Sequence, residues 1–391
     1  MQPNKAWKRK ATRLATAMVA LALLFLGVGD EGTSAHKLVT SKYDFSRDVF
    51  PLLRDHCAAC HIPGGPAPMS LATYDAAVPW AESIREELTA GRMPPWPVDP
   101  SSPAVKGGHP INSRDVDMLV VWASGGTPQG DAATKLTVPE YKPQWQLGPP
   151  DLKIAMAAER SLPAGKLEDT VQVTLATGLS ETKWVRAADL MPGTVSIVRD
   201  AVISIENGAV LDIWEPGDEA IAAPSGVAFR LDAGSKIQLK IHYKKHFDQE
   251  EKAVSDKSTV GLYFTNPPTS GHGLQALSVE RSKPTQAGNS VVTFDGDLPT
   301  AARIIALRPT LDRAFDSLAV DAILPTGRQV PLLRLLGPRP QWPRRYWLQD
   351  GVELPSGSKI TVKATPLADE SDEPPIAAHS ELALFLDYVP Q

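Results

Sequence analysis

Cys57-Ala58-Ala59-Cys60-His61 is the stretch on which the reading of this chain turns. A C-x-x-C-H run is the attachment signal for a c-type haem. Two thiols add to the haem vinyl groups, and the adjacent histidine is placed to ligate the iron. These are the only cysteines in 391 residues. A disulfide framework is therefore excluded, and no thiols remain for a zinc or iron–sulfur site. A bare C-x-x-C also serves as a redox dithiol, but His61 and the leader-like N-terminus favour haem. The expectation is one covalent haem c, with thioethers from Cys57 and Cys60 and His61 as proximal ligand.

Outward from this run, Tyr43 to Asp131 reads as helical. Ser46 is placed to cap a helix through Val49, Leu52 and Leu53, with Pro51 in its first turn. The loop Ile62–Met69 is too rich in proline and glycine to be regular. Ala76–Ala90 carries Ala77, Trp80, Ile84 and Leu88 near helical spacing, and Gly91-Arg92-Met93-Pro94-Pro95-Trp96 breaks it. A last helix starts at Asn112 or Ser113 and ends at Gly125-Gly126. Three short helices around a C-x-x-C-H predict a small all-α cytochrome c domain over residues 43–131.

The sixth iron ligand is then sought on a loop. A thioether suits a low-spin electron carrier because it favours Fe(II) and raises the potential. Met93, held extended by the prolines behind it, is the expected distal ligand. Met69 is only eight residues beyond His61 and would have to fold back. His109 is a weaker candidate, and Met118 lies on a helix face as core filler.

Composition sets the frame. The length predicts two or three domains. The chain has 36 prolines and 28 glycines, which favours short strands and many turns over long helices. The net charge of −5 carries no basic surplus, so no nucleic-acid partner is expected. Lys5, Lys8, Arg9, Lys10 and Arg13 precede the apolar run Leu14–Gly29, which has the layout of a secretory signal. Residues 1–35 are thus a signal peptide or an N-terminal membrane anchor, the run being short for a comfortable span. Either way the body is expected in the periplasm or otherwise outside the cytoplasm.

The blocks Cys57–His61, Pro63-Gly64, Pro68-Met69-Ser70-Leu71, Thr73-Tyr74 and Met93–Trp96 resemble a bacterial cytochrome module with the pattern CxxCH-x-PG-x-x-x-PMSL-x-TY followed by MPPW. That resemblance also implies Met93 as distal ligand. In the same family the module commonly precedes a domain resembling copper type II, ascorbate-dependent monooxygenases of the peptidylglycine-hydroxylating kind.

Residues 132–150 read as an extended, proline-punctuated linker. Beyond them the apolar period is two, as in Val171-Val173-Leu175, Ile237-Leu239-Ile241-Tyr243 and Ile360-Val362. This predicts β-sandwich strands with one wet face each. A break at Thr265–Gly271 divides the region into two tandem all-β, jelly-roll-like sandwiches, 151–265 and 266–391. Blocks such as Lys183–Gly193, Trp214–Gly217, Gly234–Tyr243, Trp342–Tyr346 and Leu354–Ile360 resemble the two copper domains of the monooxygenases.

The departures from that resemblance bear on function. Val198-Arg199-Asp200-Ala201 stands where paired copper-binding histidines are implied. Leu307–Asp312 replaces the Pro-His-x-His block, and Glu381-Leu382 replaces the late Glu-Met. Only His242 survives, as a relic copper position on the wet strand face. One imidazole cannot hold type II copper in a defined geometry, so copper is not expected. His246, four residues along the same strand, His272 and His379 read as surface histidines. The acidic Asp369–Glu373 lacks calcium-loop spacing and reads as a solvated loop.

The expected function is therefore electron transfer through one haem, without independent catalysis, the sandwiches acting as a docking or assembly scaffold. Redox partner proteins, such as a membrane-associated respiratory or oxidase complex, are the expected partners. The competing readings are a haem-fed copper monooxygenase that hydroxylates a C–H bond and, further off, a haem peroxidase or sensor with an open iron position.

Overall fold

The computed structural model describes residues 40–95, 98–107, 111–269, 271–280, 291–367 and 382–391. The N-terminal basic and apolar runs, Trp96, His109, the 369–373 acid cluster, His379 and Glu381 lie outside them. Sandwich-like β-sheet dominates, and among the described residues the α-helices are confined to Phe50–Ser124.

The helical segment begins at Asp44, whose carboxylate accepts the Arg47 N–H at 2.9 Å. Asp44, not Ser46, is thus the cap. The Ser46 hydroxyl instead donates to the Gln129 carbonyl at 2.9 Å. Phe45–Val49 is a wide π turn, and Phe50–His56 continues it as α-helix. The expected Ala76–Ala90 helix is three pieces, Tyr74–Ala77, a 3-10 turn Val78–Trp80 and Ala81–Thr89. Pro79 lacks a donor and forces the break. The expected last helix is Ser113–Ser124, and of the two starts the sequence left open the structure makes Asn112 the cap. Phe45, Leu119 and Trp122 are fully buried, and Phe45 meets Tyr74 edge-on at 5.6 Å between ring centres.

Strands over 152–265 form two four-stranded antiparallel sheets. One is β1 (Leu152–Ala155), β10 (Thr259–Thr265), β4 (Lys183–Met191) and β7 (Phe229–Leu231) in that order. The other is β3 (Glu168–Ala176), β8 (Lys236–Lys244), β5 (Val198–Ile205) and β6 (Val210–Trp214). β2 (Arg160–Leu162) and β9 (Val254–Asp256) pair at the side. Strands over 275–390 repeat the plan: β11 (Gln275–Glu280), β18 (Ala383–Pro390), β13 (Ala302–Thr310) and β16 (Tyr346–Leu354) make one sheet. β12 (Val292–Asp297), β17 (Lys359–Pro366), β14 (Phe315–Ile323) and β15 (Gln329–Leu336) make the other. The period-two reading holds in β8, where Ile237, Leu239, Ile241 and Tyr243 are all fully buried on one face.

It fails in β13. Ala302–Leu307 is buried almost without alternation, because this strand is covered on both sides. Ile304 and Leu307 join the core of the second half, whereas Ile305, Ala306 and Trp347 join that of the first. The two halves therefore share apolar surface rather than meeting through one wet face.

The helical segment is stitched to both halves. Val98 and Val105 bridge Leu335 and Leu348, and Lys106 N–H donates to the Trp347 carbonyl at 2.8 Å. The 132–150 stretch lacks regular elements but is not a free tether. Val138 and Tyr141 pack on Ala58, Ile62 and Ala72. Gln146 bonds the Asp218 carbonyl at 2.7 Å and the Ala220 N–H at 2.8 Å. Glycine at 261 makes room, since a Cβ there would fall 2.7 Å from the Trp145 ring.

Candidate functional site

The C-x-x-C-H run is one tight turn at the end of Phe50–His56. Cys57 N–H donates to Leu53 O at 2.9 Å, and Cys60 and His61 N–H donate to Cys57 O at 3.1 and 2.8 Å. Helical winding thus sets Cys57 and His61, four apart, on one side. The two thiols are not joined to each other. Burial pushes both up to about 12, so they are protonated at neutral pH. Cys57 packs against the helical core.

His61 faces the Met69 carbonyl through Nδ1 at 3.2 Å. A carbonyl only accepts, so Nδ1 carries the proton and Nε2 keeps a lone pair. Burial lowers the pKa of this imidazole, and the Met69 hydrogen bond opposes it only in part. A neutral imidazole presenting Nε2, oriented from behind by a carbonyl, is the form a metal ligand takes. Two free thiols and this imidazole on one turn fit a covalently attached haem.

The methionines separate. Met69 packs against the helical core and supplies the carbonyl that orients His61. Met93 is half-buried in the loop after Ala81–Thr89, and its bond to Pro94 is cis. That loop leads directly into the 98–107 stretch held by the second half. Met118 is half-buried on the Ser113–Ser124 helix rather than core.

His242 lies on the wetter face of β8, half-buried and held by two carboxylates. It stands on β8 directly across from Asp200 on β5. Its Nδ1 is 2.8 Å from Asp200 Oδ2 and its Nε2 is 2.6 Å from Glu168 Oε1. Lys244 reaches the same Glu168 at 3.7 Å. Burial alone would lower the His242 pKa, but the two carboxylates outweigh it and raise it. Both nitrogens are engaged on opposite sides of the ring, which is the geometry of an imidazolium clamp. Among the described residues, no group of three or more His, Cys, Asp and Glu side chains is arranged to hold a metal ion.

His246 corrects the sequence reading twice. It lies beyond the end of β8, capping the turn Phe247–Gln249, and it is 7% exposed rather than on the surface. Its Nε2 is 2.8 Å from the Pro66 carbonyl in the loop after His61. His272 is exposed.

At the Leu307–Asp312 block, Arg308 is buried and makes a fork to Asp387, Nε to Oδ2 and Nη2 to Oδ1, both at 2.9 Å. Arg345 adds a contact to Asp387 Oδ2 at 3.0 Å and donates to the Leu211 and Val210 carbonyls. Arg308 was legible in the sequence only as a missing histidine. Its partner lies 79 residues away in the chain.

No family model and no curated protein matches this chain. Among solved structures, an allantoicase is similar at 9% identity over 56% of this chain and 77% of that one, with a TM-score of 0.20. PBCV-1 VP54 is similar at 8% over 59% and 93%, with a TM-score of 0.25. The tandem CBM22 domain of Paenibacillus barcinonensis Xyn10C is similar at 11% over 63% and 96%, with a TM-score of 0.16. Likenesses this distant carry no argument about activity.

Proposed function

We propose that this protein is an extracytoplasmic c-type cytochrome that passes electrons between redox partner proteins. The observation that carries the reading is the 57–61 turn: two unlinked thiols beside an imidazole whose Nδ1 is already committed to Met69 O. Cys57 and Cys60 would hold the haem, His61 its proximal side and Met93 its distal side. Bound there, haem c supplies reversible one-electron chemistry between Fe(III) and Fe(II).

On this reading residues 43–131 are a small all-α cytochrome c domain, and the sheets are tandem jelly-roll-like sandwiches descended from a copper monooxygenase plan. They serve as a scaffold that docks the cytochrome to a membrane-associated respiratory or oxidase complex. The His242 clamp and the Arg308–Asp387–Arg345 cluster support the scaffold reading, because both positions are filled by paired organic cations. Residues 1–35 would export the chain or anchor it.

The test is an iron and copper count on the purified mature protein, with its visible spectrum in both redox states. One iron, no copper and a low-spin spectrum are expected. Stoichiometric copper that survives chelation would replace this reading with a haem-fed monooxygenase.

A further inference from the structure

The turn that carries the thiols is half-exposed, and one side of it packs on the first sandwich. Cys60 Sγ lies 3.3 Å from the Pro216 carbonyl, in the loop between β6 and β7 of the first sandwich. Gly217 follows, at a φ of +83°, and a Cβ built on it would fall 2.4 Å from that sulfur. The close approach therefore needs glycine twice over, for its backbone and for its missing side chain. Tyr141 and Val138 of the 132–150 stretch pack on neighbouring Ala58 and Ile62. The loop after His61 is gripped from the same sandwich, since Arg199 Nη1 donates to Pro66 O at 3.1 Å and His246 Nε2 faces it at 2.8 Å. The next residue's N–H, Ala67, returns to the Cys60 carbonyl at 3.2 Å.

We infer that the first β-sandwich is one wall of the haem site, and that Arg199 is the cation on that wall which sets the reduction potential. The inference rests on the haem reading above. Pro66 O is neutral, so this contact does not cancel the Arg199 charge, and the Glu168 carboxylate that also acts on it is taken up by His242 and Lys244. Of the carboxyl groups flanking Pro216-Gly217, Asp218 is matched by Arg344 at 2.8 Å, while buried Glu215 acts on Cys60 with the opposite sign to Arg199 and stays in place when the cation is removed. Burial lowers the Arg199 pKa, yet a guanidinium starts so high that the charge persists. A fixed positive charge in a water-poor wall disfavours the ferric state, which carries one more positive charge than the ferrous. His246 and Gly217 keep the wall closed, Gly217 by admitting the sulfur.

The experiment uses the full chain produced with haem attachment. Covalent haem is read by haem stain on a denaturing gel, and the midpoint potential by spectroelectrochemical titration. Arg199→Met is expected to retain covalent haem and to shift the ferric–ferrous equilibrium toward ferric by about tenfold, which is 59 mV lower for one electron. Arg199→Lys should recover most of the shift. Arg47→Met, which removes an exposed cation on the helical segment, should leave the potential unmoved. Gly217→Ala should lower the potential and speed hydrogen exchange over 62–69, as the wall parts and water enters. A haem-loaded Arg199→Met protein within threefold of the parent overturns the inference while the haem reading stands. A parent chain that takes up no covalent haem overturns the haem reading itself, and the inference with it.

Discussion

Replacing Asp387 by asparagine removes the one carboxylate that two buried guanidiniums share. In the folded chain Arg308, Arg345 and Asp387 side chains are 8%, 1% and 3% exposed. Three contacts of 2.9–3.0 Å converge on the two oxygens. Breaking such a pair from one side leaves uncompensated buried charge and costs about 3–5 kcal/mol. The sandwiches share apolar surface through β13 and Trp347, so they should unfold together as one large unit. For a unit of that size each kcal/mol moves Tm by roughly 2–4 °C, giving a fall of about 6–20 °C for Asp387→Asn. Circular dichroism in the β region, melted at several scan rates, reads this directly. A triple variant with Arg308→Met, Arg345→Met and Asp387→Leu should recover most of the loss, because it removes charge and counter-charge together. It should not recover all, since the Leu211 and Val210 carbonyls lose their donor at about 1 kcal/mol each. A fall below about 2 °C for the single variant, or a triple variant less stable than the single, would refute the reasoning.

Three further outcomes follow from other parts of the molecule. With haem attached, Met93→Ala should turn the oxidised spectrum high-spin while Met69→Ala leaves it low-spin, and the reverse pattern would exchange their roles. His242 has a raised folded-state pKa, so its clamp contributes fully below the unfolded value of about 6.5 and fades as pH rises through the folded one. His242→Gln should therefore cost about 1–2 kcal/mol near pH 6 and less near pH 9 in denaturant titrations; a cost that does not change with pH would count against the charged clamp. Gly261→Ala drives a methyl into Trp145 and Pro150, and should cost about 1–3 kcal/mol and expose 132–150 to protease. Unchanged cleavage there would mean that the stretch is not seated on β10.

Local order in this chain was legible where short-range chemistry fixes it. Asn112 before an apolar period announced the Ser113–Ser124 helix, and the alternation in Ile237–Tyr243 announced β8. The cap at the first helix was misread because Asp44 and Ser46 are both good caps, and long-range pairing chose between them. The Ser46 hydroxyl is taken by Gln129, 83 residues on. Likewise the general expectation of one wet face per strand fails at β13, whose second side is covered by the first half's core. His246 looked like the next residue on the face of His242, but β8 ends at Lys244 and a tight turn carries it to Pro66.

By itself the sequence determined the chemistry of the 57–61 turn, since the spacing of two thiols and an imidazole along one helical turn is a property of neighbours. It also determined that no histidine stands in Val198–Ala201 or Leu307–Asp312. Only the tertiary structure decided the partners of these segments: Asp200 and Glu168 on neighbouring strands for the two ring nitrogens of His242, and Asp387 for Arg308. It alone brought Pro216 and Gly217 onto Cys60 across 156 residues. Contacts between distant segments depend on how sheets stack and loops close, and no local pattern of residues encodes them.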